Sequence, residues 1–206
     1  MLKNLTFSLA ILLGVTSSSF AQEYTVEIEE SRKSNRLFLY AVNKNLVDLD
    51  VAITVEGTGF RQRKGVPRKT RVPATSKVNI ISLIVERDQE PVYTYTLDVT
   101  DSLSRRVIKK EYELIKIDPK KSITIYIPDN CKNCDSIIDP LKKTPYFFMS
   151  YKITENEKIQ KQLERAFANS SRTLESIDTA IIALGGKMYI YINTYDEMMA
   201  KLEEEE

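Results

Sequence analysis

The only two cysteines of this chain stand two residues apart, as Cys131-Lys132-Asn133-Cys134. Between an apolar β-type run and a helical pattern, such a pair can close into a disulfide and reopen. The unpaired backbone N–H groups at a helix mouth stabilise a thiolate on the first cysteine. The chemistry that follows is thiol–disulfide exchange. Lys132 adds a cation beside Cys131, whereas Asp129 and Asp135 pull the other way.

The absences narrow the remaining options. The chain has no histidine, which removes histidine triads, histidine general bases and histidine zinc sites. Two cysteines alone cannot fill a structural zinc shell, and six glycines form no Gly-rich phosphate cradle. Neither a metal nor a cofactor is expected.

The compartment is read from residues 1–21. Lys3 supplies a positive end, Leu5 to Val15 form an apolar stretch too short for a comfortable membrane span, and Ser19-Phe20-Ala21 offers small residues at the cleavage positions. These features predict a signal peptide, a mature chain starting near Gln22, no transmembrane anchor in it, and an exported protein, periplasmic or secreted. The alternative for this segment is an uncleaved anchor. No cysteine follows the expected cut, so lipid attachment there has no acceptor.

The mature length suits two domains, 22–118 and 119–206. Residues 22–120 hold 18 Lys and Arg against 15 Asp and Glu, and residues 121–206 hold 11 against 14. A net +3 and a net −3 give neither half the charge excess that argues for nucleic acid, so none is expected as a partner.

The first domain reads as short alternating runs. Tyr24, Val26 and Ile28, then Leu37, Leu39 and Ala41, then Leu49 to Val55 alternate with polar residues. Val78 to Val85, Val92 to Val99 and Val107 to Ile117 complete six or seven strands without a helical period. The pattern predicts an all-β, immunoglobulin-like antiparallel sandwich, a docking module for an unidentified partner rather than a catalyst. One segment carries six cations in eleven residues: Arg61, Arg63, Lys64, Arg68, Lys69 and Arg71. It can contact an anionic partner, or it can be a solvated hairpin or loop punctuated by Gly65 and Pro67.

The second domain alternates strand and helix. Ile123 to Ile127 is an apolar strand; Pro128-Asp129-Asn130 turns the chain, and Asp129 or Asn130 caps a helix whose first residues include Cys131. Pro140 should kink or shorten that helix. A strand at Phe147 to Ile153 ends at Thr154-Glu155-Asn156-Glu157, a capping box, from which Ile159, Leu163, Ala166 and Phe167 continue on one helix face. Ala180 to Leu184 and Met188 to Ile192 form a hairpin through Gly185-Gly186, and Thr194 to Glu197 opens the last helix.

This order, with Cys131-Lys132-Asn133-Cys134 at a strand–helix junction and the Gly185-Gly186-Lys187 hairpin before a short terminal helix, resembles the thioredoxin superfamily. By its length, residues 121–206 are closest to a glutaredoxin-like domain. The resemblance implies an α/β domain with a central mixed sheet flanked by helices, acting on protein thiols and disulfides. It implies an exposed nucleophile at Cys131 and a more buried resolving cysteine at Cys134. It also implies a substrate groove beside Thr179 and Ala180, although these replace the usual cis-proline. Asn193-Thr194 replaces the glycine pair found near glutathione in glutaredoxin-like proteins, so glutathione is not expected. The competing reading is a noncatalytic binding or scaffold protein whose two cysteines form a structural disulfide.

Overall fold

The computed structural model describes residues 24–62 and 65–204. The expected leader, and Arg63 and Lys64 of the basic segment, lie outside the described residues. The chain forms an N-terminal β region of antiparallel sheets and a C-terminal α/β region with a mixed sheet and three helices.

The β region contains β1 (Glu27–Lys33), β2 (Arg36–Asn43), β3 (Leu49–Thr58), β4 (Phe60–Arg61), β5 (Thr70–Val72), β6 (Ser76–Val85), β7 (Val92–Thr100) and β8 (Tyr112–Leu114). One sheet runs β1-β2-β6-β4, with β8 also along β6, and the other runs β5-β3-β7. They curl around one core to which Leu37, Leu39, Val51, Val72, Val78 and Leu83 contribute. Alternation explains the faces, because successive strand side chains point to opposite sides. In β6 the buried set changes from Val78 and Ile80 to Leu83 and Val85. The register against β2 slips at that place, where Leu39 pairs with Ile81 but Tyr40 with Asn79. The extra residue of a bulge, Ile80, thus moves the apolar period to the other parity.

The basic segment ends in a strand, because Thr70 and Val72 are buried and place Arg71 inside β5, against β3. The expected strand from Val107 to Ile117, by contrast with the sequence expectation, shrinks to β8 plus isolated bridges of Ile108 to Thr70 and of Ile117 to Tyr146. All three β8 side chains are exposed, so no burial sustains a longer strand.

The C-terminal region contains β9 (Ile123–Ile127), α1 (Cys134–Lys142), β10 (Met149–Lys152), α2 (Glu157–Phe167), a 3-10 turn (Leu174–Ser176), β11 (Ile181–Leu184), β12 (Lys187–Tyr189) and α3 (Tyr195–Glu203). The sheet order is β10-β9-β11-β12; β10 is parallel to β9, and β11 is antiparallel to both β9 and β12. Period-two alternation sorts its two faces. Ile123, Ile125, Ile182 and Leu184 meet α1 and α3, whereas Tyr126 and Ile181 meet α2. Gly185 and Gly186 take φ of 58° and 91° in the hairpin between β11 and β12, a conformation that costs glycine little. The helix α1 runs through Pro140 to Lys142. The cap of α2 is Asn156, whose side chain accepts from the Ile159 N–H; the Thr154 hydroxyl instead donates to Asp129, 2.7 Å away. Thr194 caps α3 as expected, accepting from the Glu197 N–H.

The strand-like tether between the regions is bonded to the loop after α1. Ile117 donates its N–H to the Pro145 carbonyl (2.7 Å) and accepts from the Phe147 N–H (2.8 Å), and Lys116 Nζ reaches the Lys142 carbonyl (3.1 Å). Among the described residues, no helix is long and apolar enough to cross a membrane.

Candidate redox site

The apolar strand β9 delivers the chain to Pro128, and the turn that follows is closed by the Cys131 N–H donating to the Pro128 carbonyl, 3.2 Å away. The Lys132 N–H then donates to the Asp178 carbonyl (2.8 Å), just ahead of β11. What sets the start of the helix is the backbone of Asn133, which is non-helical (φ −121°, ψ 2°), so α1 begins at Cys134 and the two preceding amides serve turn and tertiary acceptors. This corrects the expectation that Asp129 or Asn130 caps the helix and that Cys131 lies in its first turn.

Cys131 and Cys134 form a disulfide, with an S–S distance of 1.99 Å and Cα atoms 5.8 Å apart. The two sulfur-bearing residues differ in environment. Cys131 is half-buried, whereas Cys134 is 5% exposed and sits in the core with Ile137, Ile138 and Met198.

Asn133 is a site residue that the sequence did not single out. Its side chain makes no cap bond to α1. It is turned outward to the neighbouring segments: Nδ2 donates to the carbonyls of Ile192 (3.1 Å) and Asn193 (3.4 Å), and Oδ1 accepts from the buried Ala180 N–H (2.8 Å). One amide therefore ties the cysteine loop to the start of β11 and to the approach to α3. The diversion has an electrostatic consequence, because the first amides of α1 are left without a side-chain cap and can face a sulfur anion. Opposing this, Asn133 Oδ1 lies 3.5 Å from the Cys131 sulfur. In the reduced state that oxygen can accept from the thiol, which favours the protonated form. An asparagine between two cysteines gives no sequence sign of this role, because its partners are 47 and 59 residues away.

The expected influence of Lys132 is also redirected. Its ammonium pairs with the Asp178 carboxylate. The hydrogen bond raises the pKa of Lys132 and lowers that of Asp178 below the usual carboxylate value. The cation is thus largely compensated before it reaches Cys131.

Thr179 and Ala180 lie beside the cysteine loop, and every described peptide bond is trans. Their polar groups are engaged internally: the Thr179 hydroxyl donates to the Ile190 carbonyl (3.2 Å), and the Ala180 N–H goes to Asn133. Asn193 and Thr194 serve the start of α3, where the Asn193 N–H donates to Glu197 Oε2 (2.8 Å).

The basic segment is far from a uniform cationic face. Arg61 pairs with Glu86 (3.2 Å) and Lys69 with Asp98 (3.0 Å). Arg71 Nε reaches Asp50 Oδ1 at 2.5 Å, and its Nη2 donates to the Ser104 carbonyl at 3.0 Å. Arg68 is exposed. No protein-family model, no curated protein and no solved structure matches this chain.

Proposed function

We propose that the chain is an exported thiol–disulfide oxidoreductase of the thioredoxin-like kind, with Cys131 as the attacked and attacking sulfur and Cys134 as its resolving partner. The observation that carries the reading is the Cys131–Cys134 disulfide at the start of α1, half-buried at its first sulfur-bearing residue and buried at its second. The mixed sheet, with β9 and β10 parallel and a β11–β12 hairpin completing it, supports the thioredoxin-like kinship. Export follows from the features of residues 1–21.

In the oxidising direction, a substrate thiolate attacks the Cys131 sulfur. A substrate–Cys131 disulfide forms, the internal bond breaks, and its electron pair leaves on Cys134. A second substrate thiolate then attacks the substrate sulfur of the mixed disulfide and releases Cys131 as thiolate. Two electrons have passed from the substrate to the protein, and the two protons released when the substrate thiols ionised return from solvent as the protein thiolates are protonated. The reverse sequence, starting from reduced protein, reduces a substrate disulfide.

The N-terminal region is the docking module in this reading. The separation of β1-β2-β6 from β5-β3-β7 supports an immunoglobulin-like arrangement, while β8 departs from it by lying along β6 rather than beside β7. A second reading has one observation in its favour. The Asp178 carbonyl and Ala180 N–H, which flank the site, are consumed by Lys132 and Asn133, as suits a noncatalytic module with a structural disulfide.

The test is mixed-disulfide trapping. Cys134→Ser should accumulate partners linked through Cys131, released by dithiothreitol, and wild-type protein should equilibrate with a dithiol buffer. A Cys131 thiol no more reactive than free cysteine, with no trapped species, would leave the structural-disulfide reading.

A further inference from the structure

A groove of about 620 Å³ opens one residue from Cys131, at Asn130, on the α2 side of the sheet. Its floor is apolar, formed by Ile153, Phe167, Leu174 and Ile177, which belong to the cluster beneath α2. Its rim carries the carboxylates of Asp129, Glu164, Glu175 and Asp178, and among the described residues no lysine or arginine lines it. Asp129 accepts from the Thr154 hydroxyl (2.7 Å) and Glu164 from the Gln160 amide (2.9 Å), both neutral donors, while Lys152 is a cation within electrostatic reach of Asp129. Asp178 is the member compensated by Lys132. The C-terminal end of α2, at Phe167 and its cap Ala168, adds the negative end of a helix dipole to the same rim.

Size, floor and sign together select the occupant. The volume is that of a pocket for a few side chains rather than a whole domain. An apolar floor under an acidic rim disfavours anions and favours a chain that brings both apolar side chains and cations. We propose that this groove seats an apolar, cationic polypeptide segment flanking the cysteine that exchanges with Cys131. The exchange part of the proposal rests on the oxidoreductase reading, whereas the binding part does not.

The experiment uses the mature protein and two fluorescein-labelled, cysteine-free peptides, one alternating Leu with Lys and the other alternating Leu with Glu. Anisotropy should show the Lys peptide binding about tenfold or more tightly, a preference that weakens as salt screens the rim. The preference should vanish in the double variant Glu164→Lys, Glu175→Lys, both of whose sites are exposed, with circular dichroism verifying its fold. Equal binding of the two peptides, or an unchanged preference in the double variant, overturns the proposal.

Exchange is followed separately with a small aromatic disulfide and with disulfide-linked versions of both peptides. Reaction with the small disulfide without preference for the Lys peptide defeats the groove proposal and leaves the redox reading intact. Absence of all exchange with the binding preference retained does the opposite.

Discussion

The two regions bury different kinds of groups. In the β region the core wall includes Asn43, Asp50, Thr70, Thr75 and Ser76, all buried polar or charged residues. Asn43 donates to the Val47, Val72 and Pro73 carbonyls, and Asp50 holds Arg71 and accepts from the Ser104 N–H at 2.7 Å. Among the described residues of the α/β region, those that are buried are all apolar, and polar ties gather at the cysteine loop. Buried polar groups therefore brace the strands of the first region, whereas in the second the half-buried Asn133 amide holds the loop that carries the disulfide.

The strongest way to break this contrast is Asp50→Ala. It strands Arg71, only 16% exposed at its side chain, and removes the acceptor of Ser104. A loss of about 3–5 kcal/mol is expected for breaking such a buried pair, read as an earlier unfolding transition in urea, with the reduction potential of Cys131–Cys134 unchanged. Equal loss of both properties would show that the regions are not energetically separate.

Asn133→Ala acts in the opposite place. It deprives the buried Ala180 N–H of its acceptor, at a cost of about 1–3 kcal/mol. It also removes the oxygen beside the Cys131 sulfur. The Cys131 thiol should then titrate at a lower pH than in wild type, as followed by thiolate absorbance. A change in stability with no change in titration would make Asn133 purely structural.

Reduction of the disulfide is a smaller perturbation. The bridge has a sequence separation of 3, so it removes little freedom from the unfolded chain; about 2 kcal/mol is expected from loop closure, against about 3 for a fifteen-residue loop. Urea titrations with and without dithiothreitol measure the difference. A much larger loss would favour the scaffold reading.

The smallest expected effect concerns Lys132 and Asp178. The Asp178 pKa is lowered and the Lys132 pKa raised by their mutual hydrogen bond. The carboxylate contribution is therefore full above the ordinary Asp value and fades as pH falls through the lowered one. The ammonium contribution is full below the ordinary Lys value and fades as pH rises through the raised one. Carboxyl-detected NMR should place the Asp178 midpoint below 3.8, with Lys132→Met moving it up. An unmoved midpoint would remove the pair from the description of the site.

Much of the α/β region was legible because its signals are local. Ile123 to Ile127 is apolar in a turn-bounded run, Gly185-Gly186 supplies the hairpin geometry, and Thr194 stands three residues before Glu197. The start of α1 was misplaced because distant groups hold the residue before it: the Asn133 side chain is bonded to residues 180 and 192, and its backbone is non-helical. At the start of α2, Asn156 caps while Thr154 turns to Asp129. In the β region the strands with good alternation were readable. Arg71 was not, because a cation in a basic run looks solvated until the buried Asp50 is brought against it. Tyr112 to Leu114 shows the reverse case, where β-type residues without a partner face leave only a short strand.

The attachment of Ile117 to residues 145 and 147 gives the molecule a mechanical property. A tug on the β region arrives first at the segment just behind α1, before β9 is engaged. Because Cys134 opens that helix, the same two hydrogen bonds moor the far end of the element whose first residue bears the buried sulfur.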